Sequence, residues 1–305
     1  MSELDTSEFI EGAKAGKIPV RALVANHLSV ACDLPAELIP GHMLRPASEE
    51  ELSLLKSSPG NVIGDDLIPR VWPEAMLVVE RVRPAGVGGL TGGFLAIEQA
   101  ARLTEIEMDL SVMMVGGQIW KHTTIGRPWL GNLSPIVETR NVVTADWISL
   151  IQDLDRQLAL VESSHPEIPK AVDLFRLTTA IDRHHVLYPL GLFMTLERLM
   201  THNPQGRYDS LTHQLSAKFP LLERRFDSPL DYSVFTGGLD SCSLWKSLYA
   251  YRSKIAHGGT LDFKEGKLRP LKNSTIANTF LLSAAKALLR HALKEPALVL
   301  DLRNV

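Results

Sequence analysis

The stretch Leu248-Tyr249-Ala250-Tyr251-Arg252-Ser253-Lys254-Ile255-Ala256-His257-Gly258-Gly259 decides how the C-terminal half of this chain is read. It has the pattern of the last two turns of a buried helix, carrying an arginine and a histidine and stopped by a glycine pair. Gly258 supplies the left-handed residue that commonly ends a helix, which places His257 in the final turn. Arg252 is a permanent, planar cation suited to phosphate, and histidine is the side chain that exchanges protons near neutral pH. Five helical steps set Arg252 and His257 about 140° apart, so they do not share a face. Ser253 and His257, at i and i+4, do.

An Arg-x4-His pair fits a definite chemistry. RNA is cleaved without metal when a base takes the ribose 2′-OH proton and an acid protonates the leaving 5′-oxygen. A fixed cation stabilises the charge that develops on the phosphate. For Arg252 and His257 to act together, the arginine reaches round the helix or meets the histidine of a second copy across a twofold axis. The local charge favours an anionic ligand. Between Ser241 and Thr275 stand Lys246, Arg252, Lys254, Lys264, Lys267, Arg269 and Lys272 against Asp262 and Glu265, in a chain whose net charge is −3. The plain structural alternative is a C-cap histidine and a surface arginine in an ion pair.

Outward from this helix the pattern stays helical. Upstream lie Ala171–His184, Leu187–Met200 with Leu192, Leu196 and Leu199 in phase and Glu197 among them, and Ser210–Leu222. Downstream, a basic loop leads to a long helix over Asn273–Leu293. This is the layout of an antiparallel bundle. Ser163-Ser164-His165-Pro166-Glu167-Ile168-Pro169 marks the boundary, so residues 1–165 form one region and 166–305 a helical domain. The first region reads as mixed α/β, and the fold class as α+β.

Within 1–165, Met76–Val82, Asp109–Val115 and Pro135–Thr139 have the composition of strands, and Thr144 opens a helix to about Glu162. Residues 1–70 alternate short helical patterns with turns; Thr6 or Ser7 caps a first helix, and Ser48-Glu49-Glu50-Glu51-Leu52 starts another. Trp120 and Trp129 fall on loop connections. The glycine-rich Pro84–Gly93 reads as a flexible connection, since Thr91 stands where a dinucleotide loop needs its third glycine. The role of this region is not disclosed by its residues.

A length of 305 residues accommodates two domains, and 45% hydrophobic against 22% charged residues supports sizeable cores. A net charge of −3 excludes a chain that is basic overall. Cys32 and Cys242 make neither a disulfide framework nor a zinc quartet, no metal-ligand spacing occurs among the histidines, and no cofactor motif is present. No apolar run approaches the ~18 residues of a membrane span. The expectation is a soluble, cytoplasmic protein without metal or cofactor.

The helix end resembles the HEPN superfamily (higher eukaryote and prokaryote nucleotide-binding), and within it the ApeA-like group. The signature Leu-Tyr-x-x-Arg-Ser-x-Ile-x-His-Gly is matched by Leu248–Gly258 throughout. An upstream helix with Leu-Glu-x-Leu is similar to Thr195-Leu196-Glu197-Arg198-Leu199. A third element, Arg-x-Ala-x-Leu-Leu, is matched poorly by Lys218-Phe219-Pro220-Leu221-Leu222. The resemblance covers about residues 170–300. It implies an all-α bundle that dimerises around the motif and a metal-independent endoribonuclease of antiphage or toxin–antitoxin type, with RNA as substrate and an antitoxin or sensor as possible partner. Arg252 and His257 would be catalytic, with Ser253, Lys254, Tyr249 and Glu197 supporting or binding substrate. Other members are catalytically silent and bind RNA or act as scaffolds.

Overall fold

A computed structural model describes residues 11–24, 28–57, 76–82, 84, 92–108, 110–116, 118–120, 141–204, 210–235 and 240–304. The chain divides into two compact units, Met1–Arg156 and Gln157–Val305. The class is α+β: an antiparallel sheet in the first unit, and helices in the second among the described residues.

The first unit is built on strands β1 (Val20–Val24), β2 (Leu28–Val30), β3 (Ala36–Ile39), β4 (His42–Pro46), β5 (Leu77–Arg81), β6 (Leu110–Val115), β7 (Gln118–Trp120) and β8 (Asn141–Val143). Helices α1 (Glu49–Ser57), α2 (Gly92–Arg102) and α3 (Ala145–Ser164) accompany them. The main sheet runs β3-β4-β5-β1-β6-β7, antiparallel throughout, while β2 and β8 form a separate parallel pair. In β1, Val20, Ala22, Leu23 and Val24 are all buried, so this central strand lacks the alternation that marks a half-exposed one. The turns expected between the first helix and the one opening at Ser48 are replaced by four strands, β1 to β4, while the helix at Ser48 forms as α1. Trp120, expected in a loop, lies in β7. The expected strand Pro135–Thr139, the caps Thr6 and Ser7, Trp129 and most of the glycine-rich stretch lie outside the described residues.

The acidic start of α1 forms as its sequence implies. Ser48 Oγ accepts the Glu51 N–H at 3.2 Å, and the Glu51 carboxylate accepts the Ser48 N–H at 2.7 Å, a reciprocal capping box. Arg45 grips the same carboxylate in bidentate fashion at 2.9 and 2.7 Å and reaches Glu80 at 2.6 Å. Arg21 joins both acids at 3.1 and 3.3 Å. Two arginines and two glutamates thus tie α1 to β1, β4 and β5.

The second unit continues from the last turns of α3 through α4 (Glu167–Thr179), α5 (Leu187–Met200), α6 (Leu211–Leu222), α7 (Ser241–Ala256), α8 (Ser274–Lys294) and α9 (Pro296–Asn304). Short 3₁₀ turns occupy Glu223–Arg225 and Gly266–Leu271. The prolines read as a boundary serve a helix start. Pro166 is the N-cap of α4 and Pro169 sits in its first turn, where no N–H is needed. Ser210, Asp240 and Asn273 cap α6, α7 and α8 by accepting the N–H of His213, Ser243 and Ile276. Gly191 lets α5 approach α4, since a Cβ there would meet Thr178 Oγ1 at 2.4 Å. Trp245, Phe219, Phe280 and Phe235 form an aromatic core among α6, α7 and α8, with Phe219 and Trp245 centroids 4.2 Å apart.

The short α9 was not visible in the sequence. Its last turn is held by polar groups: Lys218 Nζ donates to the Arg303 carbonyl at 2.9 Å, and Arg303 Nε donates to the Thr201 carbonyl at 3.1 Å. His202 also meets the Arg303 carbonyl through Nδ1 at 2.8 Å. No described helix is long and apolar enough to cross a membrane.

Candidate functional site

The end of α7 is a Schellman stop. The Gly259 N–H donates to the Lys254 carbonyl at 2.7 Å and the Gly258 N–H to the Ile255 carbonyl at 3.1 Å. Gly258 holds φ +66°, and His257 is the C-cap residue, exposed, with its own N–H given to the Ser253 carbonyl at 3.1 Å. Lys254 braces the turn that follows by donating Nζ to the Thr260 carbonyl at 3.2 Å. Ser253 is half-buried beside it.

Arg252 turns the other way, toward α5. Its Nε lies 3.4 Å from Glu197 Oε1, and Nη2 donates to Oε2 at 3.5 Å, a long and loose ion pair. The guanidinium also sits over the ring of Tyr249, 5.5 Å from its centroid, one turn earlier on the same helix. Tyr249 in turn meets Phe193 edge-on at 6.0 Å. Phe193 and Glu197 are i and i+4 on α5, while Tyr249 and Arg252 are i and i+3 on α7, so two helix faces oppose an aromatic pair and a charge pair.

This setting perturbs its acids. Burial pushes the Glu197 carboxyl up from its ordinary value, and the attraction of Arg252 and a hydrogen bond from Tyr249 only partly offset it. Burial also raises the Tyr249 phenol, with the neighbouring Glu197 charge acting in the same direction. The next residue, Arg198, has its own partner in Glu167 at 2.7 Å.

The structure therefore brings Arg252, Tyr249 and Glu197 into one cluster, with Ser253 and Lys254 along the adjoining turn. It does not bring the His257 ring to them. Among the described residues no hydrogen bond or ion pair joins that ring to Arg252 or Glu197. Sequence reasoning missed Phe193, which the i,i+4 spacing to Glu197 would have flagged. It also missed Asn278, a buried amide on the apolar face of α8 that accepts from Tyr251 Oη at 3.1 Å and donates to the Arg183 carbonyl at 3.0 Å. A buried polar residue on such a face calls for partners, and that was its signal.

Among the described residues, no group of three or more His, Cys, Asp or Glu side chains is placed to hold a metal ion. Neither the known protein families, nor the curated proteins, nor the solved structures contain a match to this chain.

Proposed function

We propose that this chain is a metal-independent endoribonuclease of the HEPN type, acting as a homodimer in antiphage defence or a toxin–antitoxin system. One observation carries the reading. Arg252 is held half-buried by a loose carboxylate pair, in the last turns of a helix that ends on an exposed histidine. An RNA phosphate competes with Glu197 for the guanidinium, and a pair at 3.4–3.5 Å is easily exchanged for a bidentate phosphate contact. His257 takes the 2′-OH proton, the 2′-oxygen attacks phosphorus, and the P–O5′ bond breaks. The leaving 5′-oxygen takes its proton from an acid. The products are a 2′,3′-cyclic phosphate and a 5′-hydroxyl.

One chain offers a single histidine at this place, while the reaction uses a base and an acid. A second copy related by a twofold axis supplies the missing histidine, which is the reason for proposing a dimer. General acid–base catalysis contributes about 10²–10⁴-fold, and one positioned donor to developing charge about 10²–10³-fold. Arg252→Ala and His257→Ala should each cut RNA cleavage by at least about 10²-fold and relieve any growth arrest on expression. Folded variants that cleave and arrest growth like the parent would refute the assignment.

A second reading is a catalytically silent module that binds RNA. It is favoured by the separation of the His257 ring from Arg252, which is already engaged by Glu197. That reading expects RNA retention by the parent with no cleavage products.

A further inference from the structure

The segment after α7 presents cations with no place in the cleavage chemistry. Lys264, Lys267, Arg269 and Lys272 are all exposed, and none makes an ion pair with a described carboxylate. Exposed lysines are common, but these are mounted on an ordered platform. Gly266–Leu271 is a 3₁₀ turn whose three-residue period puts Leu268 and Leu271 on one face, both buried to within 1% of full exclusion. Lys267 and Arg269 are left on the outer faces. Phe263 packs against Tyr251 of α7 at 5.8 Å, which fixes the start of the segment to the helix bearing Arg252.

Its end is fixed more tightly. Lys272 has φ 61° and ψ −55°, and the Asn273 N–H donates across it to the Leu271 carbonyl at 2.7 Å. This is a γ-turn of the strained kind, which a glycine would occupy more easily. Asn273 then caps α8, so the lysine projects from a defined point.

We infer that Lys264, Lys267, Arg269 and Lys272 form a track for the sugar–phosphate backbone of a single-stranded RNA whose chain continues to the Arg252/His257 site. The ligand is a polyanion because four exposed cations within the nine residues from Lys264 to Lys272 offer more charge than one small anion can pair with. The choice of RNA over an acidic polypeptide rests on the proposed reading of Arg252 and His257, on the same helix to which the segment is fixed. Asp262 and Glu265 lie in the segment as well, and Asp262 is occupied in accepting the Lys264 N–H at 2.8 Å.

The test measures binding of the full chain to a fluorescent 2′-O-methyl oligouridylate of about 20 nucleotides, which cannot be cleaved, across a salt series. The parent is compared with K264Q/K267Q/R269Q/K272Q and with the charge-preserving K264R/K267R/R269K/K272R. Four lost phosphate contacts should lower the slope of log affinity against log salt by about 3. Between 50 and 200 mM salt, the parent should then lose about 50-fold more affinity than the neutral variant. The charge-preserving variant should follow the parent. An unchanged slope in the neutral variant overturns the track, as does a parent that binds polyglutamate but not the oligonucleotide. Cleavage of unmodified RNA is assayed beside it. A slope difference without cleavage keeps the track and removes the nuclease, and cleavage without a slope difference does the reverse.

Discussion

At the scale of single residues, Glu197 has the most to say about how the site is tuned. Its carboxyl is pushed up because burial outweighs the pull of Arg252. A group raised in the fold contributes stability that is complete below its unfolded value, near 4.5, and lost as pH rises through the folded value. Glu197→Gln cannot titrate, so its melting temperature should gain on the parent's as pH rises above about 4.5. A difference that stays flat or runs the other way would show that Arg252 dominates instead. The presence of a charged partner for Arg252 was only half legible in the sequence. Glu197 stood out as a polar residue in an apolar run, but its partner depends on how α5 faces α7, and helical periodicity carries no such rotation. Likewise the 140° separation of Arg252 and His257 was readable from spacing alone, whereas the direction taken by the arginine was not.

At the scale of elements, the capped helices were the most legible. Leu187–Met200 was placed with its bounds by its apolar spacing, without a side-chain cap, while Ser210, Asn273 and the Gly258–Gly259 stop act where their chemistry puts them. Local rules suffice there because a cap satisfies backbone groups within three residues of itself. The strands of the first unit were harder. β1 is buried on both faces and β3 and β4 are short, so their signal lies in partners distant along the chain. The junction of α1 with that sheet is held by Glu51, which caps its own helix while binding Arg45 and Arg21. Its carboxyl is desolvated, yet the hydrogen bonds of Arg45 and Ser48 win and hold it below the ordinary range. Its contribution is therefore present above about 4.5 and lost as pH falls through the folded value. Glu51→Gln should cost about 1–3 kcal/mol in urea unfolding near neutral pH, less than a fully buried pair because both arginines remain partly exposed. That cost should shrink as the solution is acidified, and a constant cost would mean the pair is not what anchors α1.

At the scale of the whole molecule, the α+β organisation followed from a change of texture along the chain, from β-branched runs to continuous helical periodicity. The proposed dimer did not, since a second copy leaves no local periodicity of its own. It has its own test. Co-expression of the parent with a threefold excess of R252A/H257A chains leaves about a quarter of parent chains paired with one another. If both copies build the site, the activity per parent chain should fall toward that fraction, whereas a monomeric enzyme would show no fall. The claim beneath all of this is that Arg252 and His257 cleave RNA by acid–base chemistry on the phosphate, with no metal in the step. The most direct measurement is the end chemistry of RNA incubated with the purified chain in EDTA. The account predicts fragments with 2′,3′-cyclic phosphate and 5′-hydroxyl ends, made by the parent and lost in His257→Ala. Intact RNA with the parent, or the same fragments from the His257 variant, would contradict it.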